Sequence, residues 1–194
     1  MSELAMHEMD ALRQRLAERA AAEGLIDVSY RLMDSPVGQL LLAATEHGIV
    51  RVAFALEDFD AVLGSLAEKI GVRVLHRAAP LDVAAMQLDE YFAHSRTGFE
   101  LPLDHRLSSG YRLEVQLALP GIAYGHTASY KEMAEATGRP TAVRAVGSAC
   151  ATNPLPIVVP CHRVLRSDGS LGGYLGGLDA KKVLLELEQD LLGT

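Results

Sequence analysis

The chain of 194 residues is 49% hydrophobic and carries 18 basic and 25 acidic side chains, a net charge of −7, which allows one large domain or two small ones. No apolar run approaches the roughly 18–20 residues of a membrane-spanning helix, and the charged first stretch has no apolar centre of a secretory signal. The two cysteines, Cys150 and Cys161, make no disulfide framework, and no C-x-x-C or H-x-x-x-H pair offers zinc spacing, so the expected setting is soluble, reducing and cytoplasmic, with no metal and no membrane partner.

Residues 2–23 predict an amphipathic helix with Leu4, Met9, Leu12 and Leu16 on one side, an N-terminal helical extension over 1–24. An α/β domain is expected over 25–105. Its strands are "IDVSYRLM" (26–33), "QLLLAAT" (39–45) and "GIVRVAF" (48–54), with "DSPVG" as the first turn. This meander predicts a small antiparallel sheet. A helix over about 58–70, a short strand over 72–76 and a second helix over 81–93 complete the domain. It shows no catalytic constellation, and its acidic residues read as solvated surface.

The character changes over 106–194, the second expected domain, which is mostly helical. Residues 1–104 sum to −8, residues 105–178 to +3 and the remaining tail to −2, so a basic excess coincides with the most punctuated part of the chain. That suits a phosphate-bearing partner. "SYKE" (129–132) is a capping box, with Ser129 as N-cap and Glu132 three residues on. The helix it opens ends at Gly138, Pro140 blocks continuation, and Thr141 can cap a second helix over 142–151. Helix, short turn, helix is the pattern of many DNA-binding modules. The second helix is built of small residues, with Arg144 as its single long side chain. It cannot read bases in a major groove, which takes several long polar side chains. Small residues would let its backbone approach nucleic acid closely, with one arginine entering the base stack. The other reading is a helix buried against its neighbours with Arg144 at the edge.

Cys150, within "SACAT", reads as a small buried hydrophobe. Cys161 sits differently, in "NPLPIVVPCHRVLRSDG" (153–169). A strand-like run, Leu155–Val159, delivers it, Pro160 stiffens the approach, and His162 and Arg163 follow as cationic neighbours that lower a thiol pKa. A nucleophilic cysteine needs a base held by a third group. In "DAKKVLLELEQDLL", Leu184, Leu185, Leu187, Leu191 and Leu192 form the apolar face, and Glu188 lies within it. A carboxylate there is costly unless paired. Pairing with His162 makes a Glu188–His162–Cys161 chain of general-base character; pairing with a lysine or arginine stays open. "RSDGSLGGYLGG" (166–177) is glycine-dense, which would bring backbone amides near a flat ligand for Tyr174 to stack on, or would simply make a surface loop.

"IAYGHTASYKEMAEATG", "RAVGSACATNPLPIVVPCHRVLRSDGSLGGYLGG" and "LLELE" together resemble the O6-alkylguanine-DNA alkyltransferases, closely over about 124–188 and more loosely over about 26–123. The resemblance implies a ribonuclease-H-like N-terminal domain and a winged-helix-like C-terminal domain with a helix-turn-helix. It implies irreversible, stoichiometric transfer of the alkyl group from O6-alkylguanine in duplex DNA, with O4-alkylthymine a further substrate, to Cys161. His162 would act as base through a water, Glu188 would orient it and Asn153 would hold the turn. Tyr130, Val164, Tyr174 and Leu175 would form the base pocket. Arg144 would fill the space of the flipped base, and Lys131, Arg139, Ala142 and Ser167 would contact DNA. The family needs no cofactor, and a monomer is expected. Gln116 stands where the family usually has tryptophan, Ala123 where it has proline, and Leu175 where some relatives have serine. The competing readings are a lesion-binding protein without transfer activity, which Cys161 opposes, and an unrelated cysteine hydrolase, which leaves Arg144 without purpose.

Overall fold

A computed structural model describes residues 12, 15, 19, 20 and 22–190. Among the described residues before Gly24, 12, 15, 19, 20 and 22 are helical, and Leu12 is half exposed. Leu4, Met9, Leu16, Leu191 and Leu192 lie outside the described residues.

Strands β1 (Val28–Met33), β2 (Leu40–Thr45) and β3 (Gly48–Phe54) form the meander that the alternation predicts. Helix α1 (Phe59–Lys69) then carries the chain across to β4 (Val74–His76), and α2 (Asp82–Phe92) follows. The sheet order is β3-β2-β1-β4. It is not wholly antiparallel, because β4 pairs parallel with β1, Val28 opposite Val74. The crossover explains this: a helix between two strands returns the chain in its starting direction, which a hairpin does not.

The strands alternate between two cores. Leu41, Ala43, Val50 and Ala53 face α1, where they meet Val62 and Leu66. Leu40, Leu42, Ala44, Val52 and Phe54 face the other way. A register shift between Ala43 and Ala44 keeps both faces apolar. The second face meets Leu81 in the turn before α2 and Leu88 and Tyr91 within it, and also meets the C-terminal domain through Val115, Val146, Leu155, Cys161 and Leu184, in one continuous cluster. Each leucine fully buried in it contributes roughly 1.5–3 kcal/mol. The linker reinforces the joint: Ile49 donates to Pro102 and accepts from Asp104, both at 2.8 Å.

The C-terminal domain contains α3 (Gly110–Ala118), α4 (Tyr130–Ala136), α5 (Val143–Ala151) and α6 (Gly177–Asp190). A short parallel pair, β5 (Ala128–Ser129) with β6 (Val164–Leu165), ties the start of α4 to the segment after Cys161. No helix among the described residues is long and apolar enough to cross a membrane.

Candidate active site

The segment that delivers Cys161 is a buried turn, not the strand its apolar run suggested. Pro154, Pro156 and Pro160 remove the amides a strand ladder would need. Asn153 supplies the missing order. Its Nδ2 donates to the Val159 carbonyl at 2.8 Å, and its Oδ1 accepts from the Leu155 amide at 3.0 Å. Within this frame Ile157 adopts φ +73, a conformation that costs a β-branched residue free energy and survives only where surroundings enforce it. A single 3-10 turn, Cys161–Arg163, follows Pro160.

Cys161 is 2% exposed, and Asn153 Nδ2 donates to its Sγ at 3.2 Å. Burial pushes the thiol pKa up to about 11, against the opposing pull of the Asn153 hydrogen bond and the Lys181 charge. The expected lowering by cationic neighbours is therefore not seen. His162 is buried with its pKa lowered, and the Arg163 charge is spent on a carboxylate. At neutral pH the group at rest is a thiol.

That carboxylate is Glu188, 1% exposed on α6. Its Oε1 lies 2.9 Å from His162 Nε2. It also accepts from Tyr91 Oη at 2.7 Å and Arg163 Nη2 at 2.8 Å. Its Oε2 accepts from Arg163 Nε at 2.8 Å and the Gly125 amide at 3.1 Å. Burial alone would raise the Glu188 pKa, but hydrogen bonds from His162, Arg163 and Tyr91 outweigh it and hold the carboxyl at about 2. Burial lowers the His162 pKa despite Glu188 beside it, so the imidazole is neutral. An ionised carboxylate only accepts, so the His162 proton sits on Nε2 and the lone pair on Nδ1. Nδ1 is buried without a hydrogen-bond partner among the described residues. Both pairings that the sequence left open for Glu188 are thus present: histidine and arginine share it.

Residues of both domains surround the site. Tyr130, the first residue of α4, brings its hydroxyl against Gly172, where a β-carbon would lie 2.1 Å from Oη. Tyr174 meets Phe54 of β3 edge-to-face at 5.4 Å and the His162 ring at 6.4 Å. Gly176 is held to glycine by Phe54, whose ring would lie 2.7 Å from an added β-carbon. Leu175 is half-buried beside Tyr174. Val164 is fully buried, and its carbonyl accepts from Lys181 Nζ at 2.7 Å. Among the described residues no cluster of three or more metal-ligating side chains forms.

The helix-turn-helix lies at the surface beyond this wall. Ser129 and Glu132 make the reciprocal capping box. Thr141 does not cap: α5 begins one residue later than expected, with Ala142 at the N-cap and no side-chain cap. Ala142 instead closes a turn onto Arg139, its amide 2.8 Å from that carbonyl. Val146, Ala149 and Cys150 turn inward, while Val143, Arg144, Ala145 and Ser148 face solvent, so α5 is neither wholly buried nor a base-reading helix. Lys131 and Ser167 are exposed. Arg139 stacks 4.4 Å over Tyr111 and pairs with Glu114 at 3.2 Å. Gln116 is buried and donates from Nε2 to the Ala149 carbonyl at 3.0 Å, satisfying a carbonyl in the last turn of α5 that the helix itself cannot.

Three residues of the site were not singled out from sequence. Arg163 was read only as a neighbouring charge. Lys181 carried a usable signal, since it lies three residues before Leu184 and seven before Glu188 on the same helical face. Tyr91 belongs to the other domain, and no spacing along the chain links it to Glu188.

Residues 28–105 match the 6-O-methylguanine DNA methyltransferase ribonuclease-like domain, and residues 111–190 match the DNA binding domain of the same methyltransferases. The chain is 39% identical over 163 residues to a methylated-DNA–protein-cysteine methyltransferase of Methanosarcina barkeri, covering 84% of this chain and 98% of that one. It is 38% identical over 162 residues to the constitutive methylated-DNA–protein-cysteine methyltransferase of Bacillus subtilis, covering 82% and 94%. Among solved structures it resembles Mycobacterium tuberculosis OGT in complex with DNA, with TM-score 0.72 and 37% identity over 84% of this chain and 93% of that one. It also resembles the O6-methylguanine-DNA methyltransferase of Pyrococcus kodakaraensis, with TM-score 0.59 and 26% identity over 83% and 98%. A buried cysteine beside a histidine–carboxylate pair, behind a helix-turn-helix of small residues, is thus matched along both halves of the chain, which belongs to the 6-O-methylguanine DNA methyltransferase family.

Proposed function

We propose that the protein repairs duplex DNA by moving the alkyl group of O6-alkylguanine onto Cys161, once per molecule. The observation that carries this reading is the geometry of buried His162: Nε2 lies 2.9 Å from Glu188 Oε1, and Nδ1 has no partner among the described residues, one residue from the thiol. The thiol proton passes through a water to Nδ1, and Glu188 stabilises the imidazolium that results. The sulfur forms a bond to the alkyl carbon as the bond from that carbon to O6 breaks. The departing guanine takes up a proton from water, the imidazolium returns its proton to solvent, and the Tyr130 hydroxyl hydrogen-bonds to the base as it leaves. Asn153 holds Sγ in place and steadies the thiolate with its Nδ2.

A buried thiol cannot reach a stacked base, so the nucleotide must leave the helix. Exposed Arg144 on α5 fills the vacated space, with Ala142 allowing close approach of the backbone. Lys131, Arg139 and Ser167 contact the phosphates, with no sequence preference. The extruded base lies between Tyr130 and the Tyr174–Leu175 wall, and the Val164 carbonyl accepts from the exocyclic amine. The protein acts as a monomer.

Mixing the protein with duplex DNA containing O6-methylguanine and mapping the product peptides tests this reading. A methyl group appears on the peptide carrying Cys161, at one per protein, and is absent from Cys161→Ala. Repaired DNA alongside unmodified protein would refute it.

A further inference from the structure

The N-terminal domain carries none of the groups assigned above to the transfer step, yet one of its side chains enters the network. Tyr91, on α2, is fully buried. Its ring lies 5.3 Å from that of Phe99 and 6.0 Å from that of Tyr124, and its hydroxyl donates to Glu188 Oε1 at 2.7 Å. Oε1 is the same oxygen that holds His162 Nε2. Oε1 therefore divides its charge among three residues, Tyr91, His162 and Arg163. Burial and the Glu188 charge both push the Tyr91 pKa far above its ordinary value, so the hydroxyl is a permanent donor and never competes with His162 for the role of base.

We propose that Tyr91 is a positioning residue of the catalytic network, fixing the Glu188 carboxylate and so setting how tightly His162 holds a proton. The inference rests on the alkyl-transfer reading. Each donor on Oε1 withdraws electron density from the bond to His162. Without the hydroxyl, Oε1 would bind the imidazole N–H more strongly and favour its charged form. The base would then be protonated at a higher pH than in the intact protein. The other groups facing His162 remain as they are: the Arg163 and Lys181 cations, the Cys161 thiol and the Tyr174 ring. The hydroxyl also crosses the domain boundary, so movement of α2 relative to α6 reaches His162 through two hydrogen bonds in series, Tyr91 to Glu188 and Glu188 to His162.

The test is the pH profile of reaction with free O6-benzylguanine, which needs no DNA binding, in the intact protein and in Tyr91→Phe. The variant keeps the ring and loses only the donor. The acid limb of the profile is expected to move up by about one pH unit, so that the rate below the limb falls about tenfold while the neutral plateau changes little. His162 should titrate upward by the same amount in nitrogen-15 NMR spectra. Phe99→Leu, which loosens the ring packing and keeps the hydroxyl, should lower the melting temperature and leave the limb in place. An unchanged limb and an unchanged His162 titration in Tyr91→Phe, with lowered stability alone, would overturn the proposal. If Tyr91→Phe does not fold, the intact protein still decides: with tyrosine labelled at Cζ, the Tyr91 resonance must follow the His162 midpoint, and its failing to do so overturns the proposal. If benzyl transfer to Cys161 is absent altogether, the alkyl-transfer reading fails instead, and the NMR titration still reports on Tyr91.

Discussion

Arg163 Nη2 and Glu188 Oε1 stand 2.8 Å apart in a pair whose side chains are 7% and 1% exposed. A buried pair of this kind is weak evidence for net stability, yet removing one partner strands the other charge. Glu188→Gln should therefore destabilise the protein by about 3–5 kcal/mol in urea unfolding and slow transfer to Cys161. Arg163→Met combined with Glu188→Gln should recover much of the stability, because no charge is then left unpaired, and none of the transfer rate. Recovery of both would separate Glu188 from the chemistry.

Acid should weaken the fold in two stages. The His162 pKa is lowered from its ordinary 6.5 by burial, so below that pH the unfolded chain takes up a proton that the folded one refuses, and stability falls. The Glu188 pKa is about 2 against an ordinary 4.5. Its contribution is complete above about pH 4.5 and is lost as pH falls toward 2, a loss of about 3 kcal/mol. Urea midpoints measured from pH 8 to pH 3 should decline through both windows. His162→Gln should remove the first decline and keep the second.

Asn153→Ala takes away the partner of the Leu155 amide and the donor to Cys161 Sγ. The expected cost is about 2–4 kcal/mol from unmade buried hydrogen bonds. The variant should also react more slowly with O6-benzylguanine at neutral pH, since the sulfur loses the side-chain donor that holds it. Unfolding midpoints and single-turnover rates check the two effects separately.

Arg144 is exposed and lies away from the Glu188 network. Arg144→Ala should slow repair of duplex DNA at least tenfold, while reaction with free O6-benzylguanine stays within about twofold and stability within about 0.5 kcal/mol. Equal slowing on both substrates would remove its part in base extrusion.

Gly176→Ala places a β-carbon 2.7 Å from the Phe54 ring, and overpacking of this kind costs about 1–3 kcal/mol. The displaced ring would also disturb Tyr174, its edge-to-face neighbour. Phe54→Leu in the same chain should relieve the clash and restore the melting temperature, which neither substitution alone improves.

What the sequence revealed follows how far each signal travels along the chain. Glu188 was legible because a charge on a leucine face is visible within one helix. The capping box of Ser129 and Glu132 is local, and it appears as read. The turn before Cys161 is hidden in the sequence because an apolar run is shared by strands and buried turns; the prolines and Asn153 are the better guide. The parallel pairing of β4 escaped because turn chemistry specifies only neighbouring strands. Thr141 is a good cap by composition, but the turn from Arg139 to Ala142 closes with backbone alone. Tyr91 and Phe54 were beyond reach, since their importance depends on how two domains pack, and composition says nothing of that.

The burial of Cys161 has a consequence for the population of molecules as well as for the single site. Under the proposed reaction the acceptor is not regenerated, so each stray alkylation or oxidation would remove one molecule from service. A sulfur that is 2% exposed and protonated up to about pH 11 is a poor target for small electrophiles dissolved in the surrounding water. Under that reaction it would react only with a group delivered beside His162. Slow idle reactivity thus acts as selectivity: the supply of unreacted protein then falls with the number of lesions met, and hardly at all with the concentration of alkylating agent itself.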